Sequence, residues 1–97
     1  MSSNFEWDES KTRANWNRHG VHFEDAIFAF DDPFALIAVD DAHSHSELRE
    51  MLIGRASRNV LVDVFTIRHE DRYRIISARK ATRTERRRYE ESKIIPL

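Results

Sequence analysis

Arg68, Arg74 and Arg79 close or punctuate the last two apolar runs of the sequence, and Arg83, Arg86, Arg87 and Arg88 follow in its final segment. Arginine presents a planar fork that binds a phosphate through two parallel bonds, whereas lysine is a point charge. Thirteen of the 16 basic residues are arginines, which favours phosphate recognition over a merely solvated surface. Strict strand alternation sets Arg74 and Arg79 on opposite faces, so only twist or a bulge brings both to one end of a sheet. Arg68, at the end of the preceding run, can lie near Arg74 or its neighbour across the turn. Tyr89 could stack on a base or protonate a leaving group; the other reading is that it anchors its helix with the hydroxyl at the rim. His19, just before Gly20, is a general-base candidate or a helix C-terminal residue. His43 and His45 follow Asp40 and Asp41, but the spacing matches no specific zinc or two-metal pattern and reads as a solvated loop. The sequence has no Gly-rich phosphate loop, no GxSxG elbow and no cysteine nucleophile.

The charge on these residues is distributed unevenly. The net charge is −1, yet residues 1–50 carry four Lys/Arg against eleven Asp/Glu, and residues 51–97 carry twelve against six. The basic half suits a polyanion, while the acidic half suits solubility or a basic partner. With 97 residues, 40% hydrophobic and 34% charged, the chain reads as one globular domain, 1–97. No cysteine is present, so disulfides are excluded; with no signal-like or membrane-spanning stretch, the expected location is the cytoplasm.

The elements that must position the arginines follow from periodicity. Asp8 is a good N-cap for a helix that reaches Arg18 and stops at Gly20. Phe23, Ala26, Ile27 and Phe30 form the apolar stripe of a second helix ending before Asp31-Asp32-Pro33. Four runs of strand length follow: Ala35–Val39, Met51–Ala56, Val60–Ile67 and Tyr73–Ala78. Thr82 and Glu85 have the spacing of a capping box, opening a third helix to about Ser92. The predicted order is ααββββα: an α+β fold with two N-terminal helices, a four-stranded antiparallel sheet, and a C-terminal helix, the helices lying against one sheet face.

Phe5–Asp8 (FEWD), Lys11, Asn15, Arg18–Phe23 (RHGVHF), the DDP turn, Ile53–Arg55 (IGR), Arg74–Thr82 (RIISARKAT) and Glu85–Glu90 (ERRRYE) together resemble the BrnT toxin family over nearly the whole chain. His22, where that family has a small capping residue, is a departure, as is His45. The resemblance implies a RelE-like ribonuclease fold, cleavage of RNA to halt translation, and neutralisation by a BrnA-like ribbon-helix-helix antitoxin through which operator DNA is bound. It places recurrent polar residues at Lys11, His19, His43, Glu47, Arg49, Arg68, Arg74, Arg79 and Tyr89. RNA carries its own nucleophile, the 2′-hydroxyl, so the implied site needs a base, an acid and cations, with no metal or cofactor expected. Arg74 and Arg79 are expected on the scissile phosphate, Arg68 on the backbone, and His19 or Glu47 as base; Lys11, Arg49, Arg83, Arg87 and Tyr89 are expected to bind RNA. A homodimer stays open. The competing reading is a non-catalytic module that holds an antitoxin or nucleic acid in operon autoregulation.

Overall fold

The computed structural model describes residues 4–41, 47–69 and 71–93. Its first element is one the sequence pattern does not announce. Phe5–Glu6 forms a short strand, β1, running parallel to the later Arg72–Lys80. Asp8 then caps α1 (Glu9–His19), accepting from the Ser10 amide at 2.9 Å. Gly20 ends α1 in the left-handed region at φ 69, where glycine has no Cβ to clash.

The second helix is shorter than its stripe suggests. Its α-helical part, α2 (Phe23–Ala26), is a single turn that tightens into a 3₁₀ segment, Ile27–Asp31. Three residues per turn bring Phe23, Ala26 and Ala29 inward, and these three are fully buried. A 3₁₀ turn also fits the close approach to the sheet, because a Cβ on Gly54 would lie 2.8 Å from the Ala29 carbonyl oxygen. His22 occupies the N-cap without a side-chain cap bond, and its ring stacks on Trp16 with centroids 4.2 Å apart. The Phe23 amide it leaves open donates instead to Thr12 Oγ1 at 3.1 Å, a cap supplied from α1.

The strands β2 (Leu36–Val39), β3 (Glu50–Ala56), β4 (Asn59–Arg68) and β5 (Arg72–Lys80) complete a sheet of order β1-β5-β4-β3-β2. Neighbours from β2 to β5 are antiparallel, so the sheet is five-stranded and mixed where four antiparallel strands were expected. The capping box forms as read: the Glu85 amide donates to Thr82 Oγ1 and the Thr82 amide to Glu85 Oε1, opening α3 (Arg83–Ser92).

The helices do not share a face, which corrects the expected layering. Leu52, Leu61, Phe65, Ile75 and Ala78 pack with Phe23, Ala26 and Ala29, whereas Ile53, Val60 and Val62 pack with Tyr89 of α3. Residues adjacent along β3 and β4 thus enter different cores. Leu52-Ile53 and Val60-Leu61-Val62 are unbroken apolar runs, the pattern of strands buried on both sides. Among the described residues no helix is long and apolar enough to cross a membrane.

Candidate active site

The register of β5 against β4 resolves the question of the two arginines. Val64 pairs with Ser77 and Phe65 with Ile75, so Ile76 is an extra residue in β5. Arg79 pairs with Val62 and Arg74 with Thr66, positions four apart on β4 and hence on one face. Without the bulge, a spacing of five would divide them. Arg72, opposite Arg68, extends the row on the same face, which is the face that carries α3.

Every arginine of this row is held by a carboxylate. Glu6 of β1 accepts from Arg72 Nε at 2.7 Å and from Arg74 Nη1 at 2.9 Å. Glu85 receives both terminal nitrogens of Arg79, at 2.7 and 2.9 Å. Arg68 reaches Glu47 at 3.2 Å. The hydrogen bonds from Arg72 and Arg74 hold the Glu6 carboxyl below its usual range, and the Arg79 fork pulls Glu85 down to about 2. These bonds relieve the juxtaposition of Arg68 and Arg72 and fix each guanidinium plane. A guanidinium has five N–H donors, so donors remain on each for an incoming anion.

Beside the row lies a cleft. β1 ends at Glu6, opposite Arg74, so among the described residues the rest of β5 has an edge without a strand partner, and α1 flanks it. Asn15 takes the place of a strand there: its Oδ1 accepts from the Ala78 amide at 3.1 Å and its Nδ2 donates to the Ala78 carbonyl at 2.8 Å. Nearby, a cleft of about 610 Å³ is lined by Lys11, Arg18 and His19 of α1 and by Ile76 and Ser77 of the bulge. The Asp8 carboxyl shows that cleft and row adjoin. It is held low by the Ser10 hydroxyl and amide, and further by the charges of both Lys11 and Arg74.

The other expected site residues separate. Arg49 is half-buried just before β3, and Glu47 stands beside Arg68 at one end of the row. Arg83 and Arg87 are exposed on α3, and with Arg86 and Arg88 they make no ion pair among the described residues. Glu90, farther along the same helix, pairs instead with Arg55 at 2.9 Å and with Lys93 at 3.8 Å. Tyr89, also expected to bind RNA, is 1% exposed, and its hydroxyl donates to Asp32 of the DDP turn, an arrangement that fits the anchoring reading. His43 and His45 lie outside the described residues; within these, no three potential ligands cluster around a metal position.

Three features escaped the sequence reading. Glu6 is a partner for two arginines, but a two-residue strand has no periodicity to reveal it. Glu85 was legible as a cap, not as the partner of Arg79. Asp63 faces the larger core between Leu52 and Ala78, fully buried, its carboxylate oxygens unpartnered among the described residues, and burial pushes its carboxyl up to about 8.

Comparison with known proteins gives a family and a similar fold. Residues 7–85, from Trp7 to the Arg79 partner Glu85, match the family model described as the ribonuclease toxin BrnT of type II toxin–antitoxin systems. Among solved structures, the 1.1 Å crystal structure of the Brucella abortus ribonuclease toxin BrnT superposes with a TM-score of 0.65 at 26% identity, spanning 81% of this chain and 96% of that one. Comparison with curated proteins finds no match.

Proposed function

The chain belongs to the BrnT family of ribonuclease toxins of type II toxin–antitoxin systems, and on that premise we propose that it cleaves RNA through the substrate's own 2′-hydroxyl and so halts translation in the cytoplasm. The observation that carries this reading is the bulge at Ile76, which sets Arg74 and Arg79 on one face beside a cleft holding Lys11 and His19. In the step itself the 2′-oxygen attacks the adjacent phosphorus, the 5′-oxygen leaves, and a 2′,3′-cyclic phosphate results. A base takes the 2′-proton and an acid returns one to the 5′-oxygen. Arginines meet the negative charge that builds on the phosphoryl oxygens. His19 lines the cleft at Ile76 and Ser77, between Arg74 and Arg79 along β5, and is better placed for proton transfer than Glu47, which Arg68 engages.

The products test the mechanism. Cleavage is expected to persist in excess EDTA and to leave 2′,3′-cyclic phosphate and 5′-hydroxyl ends, read by end-specific ligation or mass spectrometry. Strict dependence on a divalent ion, or 5′-phosphate ends, would defeat it.

The family also implies an antitoxin. We propose a BrnA-like ribbon-helix-helix protein that covers the basic face and carries the complex to operator DNA. Exposed charges chiefly govern association, and Arg83 and Arg87, which make no ion pair among the described residues, are such charges. Charge reversal at both should therefore slow antitoxin association and flatten its salt dependence, with the melting temperature almost unchanged. Stopped-flow rates identical to wild type across a salt series would place the interface elsewhere, with the exposed Trp16 as the next surface to probe.

A further inference from the structure

The arginines of the row differ in which donors their carboxylates take. A guanidinium can hold an anion through two parallel bonds along the edge formed by Nε–H and Nη2, the terminal nitrogen on that side. Arg72 uses its Nε for Glu6 at 2.7 Å, and Arg68 its Nη2 for Glu47 at 3.2 Å. Arg79 is gripped at its end instead. Its Nη1 and Nη2 donate to the two oxygens of Glu85 at 2.7 and 2.9 Å, and Nη1 also reaches the Lys80 carbonyl at 3.3 Å. Nε–H and the second Nη2 proton remain, and together they make that edge. The carboxylate that grips Arg79 is itself fixed. Glu85 Oε1 also accepts from the Thr82 amide at 2.8 Å, and the Glu85 amide donates to Thr82 Oγ1 at 3.2 Å. The turn from β5 into α3 is tied to the sheet, since the Ala81 amide donates to the Val60 carbonyl at 2.9 Å. Of the two side chains Glu85 is the more covered, 22% exposed against 38% for Arg79, so the guanidinium is the outer member of the pair. With its carboxyl held down at about 2, Glu85 stays ionised throughout the neutral range.

We infer that Glu85 is the positioning residue of Arg79, holding the guanidinium so that its Nε–Nη2 edge is set for a phosphate before the substrate arrives. The inference rests on the RNA-cleavage reading, in which Arg79 meets the phosphate. Capping alone does not call for this pair, because a glutamine closes the same box. The charge of Glu85 does something else. A carboxylate beside Arg79 competes with RNA for it, so the pair weakens binding in the ground state. An arginine already fixed, however, needs no reordering as charge builds on the phosphoryl oxygens. Glu85 therefore exchanges affinity for rate, which is what distinguishes a positioning residue from a merely structural one.

Glu85→Gln retains the box and removes the anion. It is expected to lower the single-turnover cleavage rate roughly tenfold, as a misplaced group does. Binding of the same RNA carrying 2′-O-methyl groups throughout, which cannot be cut, should stay level or tighten. Thr82→Ala should do the reverse, lowering the melting temperature with the rate nearly unchanged. In an Arg79→Ala background Glu85→Gln should slow cleavage no further, because it acts through Arg79. Cleavage by Glu85→Gln at the wild-type rate, an equal slowing with and without Arg79, or a Thr82→Ala variant slowed as much while still folded would each overturn the inference. A further measurement does not need cleavage. In wild type the Arg79 Nε–H should give the heteronuclear NOE of an ordered side chain and shift on titration with inorganic phosphate, and Glu85→Gln should lose that order. A disordered Arg79 Nε–H in wild type, or one that phosphate does not shift, would overturn the inference even if RNA is cut. Wild-type protein that shows both signals and cuts no RNA would instead defeat the cleavage reading and leave Arg79 positioned for another anion.

Discussion

Arg74→Ala and Arg79→Ala, each produced without antitoxin, are expected to leave cell growth unarrested while the purified variants melt near the wild-type temperature. The loss expected on cleavage is on the order of 3 kcal/mol, roughly a hundredfold in rate, the scale of removing one preorganised donor from a developing oxyanion. The fold should survive because both guanidinium groups are partly exposed on the α3 face and their partner carboxylates keep other bonds. Glu6 keeps Arg72 when Arg74 is removed, and Glu85 keeps its place in the capping box when Arg79 is removed. Arg79→Lys separates shape from charge. It retains the cation but cannot bind Glu85 and a phosphate through parallel bonds, so its activity should fall between wild type and alanine. Growth arrest at full strength in both soluble alanine variants would remove Arg74 and Arg79 from the chemistry and favour a non-catalytic role for this face.

How much of this was readable beforehand depends on the range of the interaction involved. α1, the capping box of α3 and the runs that became β2 to β5 are written in local chemistry: Asp8 and Gly20 at the ends of one helix, Thr82 and Glu85 three apart at the start of another. β1 was not legible, because its two residues become a strand only by meeting Tyr73 and Arg74, some seventy positions later. The arginine set was legible as chemistry but not as geometry. Arg74-Ile-Ile-Ser-Ala-Arg79 announces two cations, and strict alternation parts them; the register shift that reunites them belongs to the pairing with β4. Tyr89 had two readings that the sequence could not separate, since its partner Asp32 lies in a distant turn. The placement of α3 on the opposite face was visible in principle. The runs Leu52-Ile53 and Val60-Leu61-Val62 lack the alternation of a strand with one wet side, and two buried faces require cover on both.

Asp63 leads to the second large expectation, a fold that loses stability as pH rises through neutrality. Fully buried between Leu52 and Ala78, it is a neutral acid in the folded protein until about pH 8, whereas in the unfolded chain it ionises near its ordinary value of about 4. A group whose folded pKa is raised contributes fully below the unfolded value, and that contribution drains away as pH climbs towards the folded one. At about 1.4 kcal/mol per pH unit, the penalty accumulated by pH 7 is on the order of 4 kcal/mol, a large part of the stability of a small domain. Glu85 works in the opposite sense: its lowered pKa, about 2, contributes above the ordinary glutamate value and is lost as pH falls. The pH of greatest stability should therefore lie on the acid side of neutral. Asp63→Val should raise the unfolding free energy at pH 7 and flatten its decline between about pH 5 and 8, since the site is walled by apolar neighbours and valine has no proton to lose. Asp63→Asn should flatten the decline equally but gain less, because its amide would be buried without a partner. Chemical denaturation across that range measures all three proteins. A wild-type stability that is level from about pH 5 to 8, or an Asp63→Val variant that is less stable than wild type at pH 7, would mean that the carboxylate is satisfied in solution and that the buried acid is not what limits this fold.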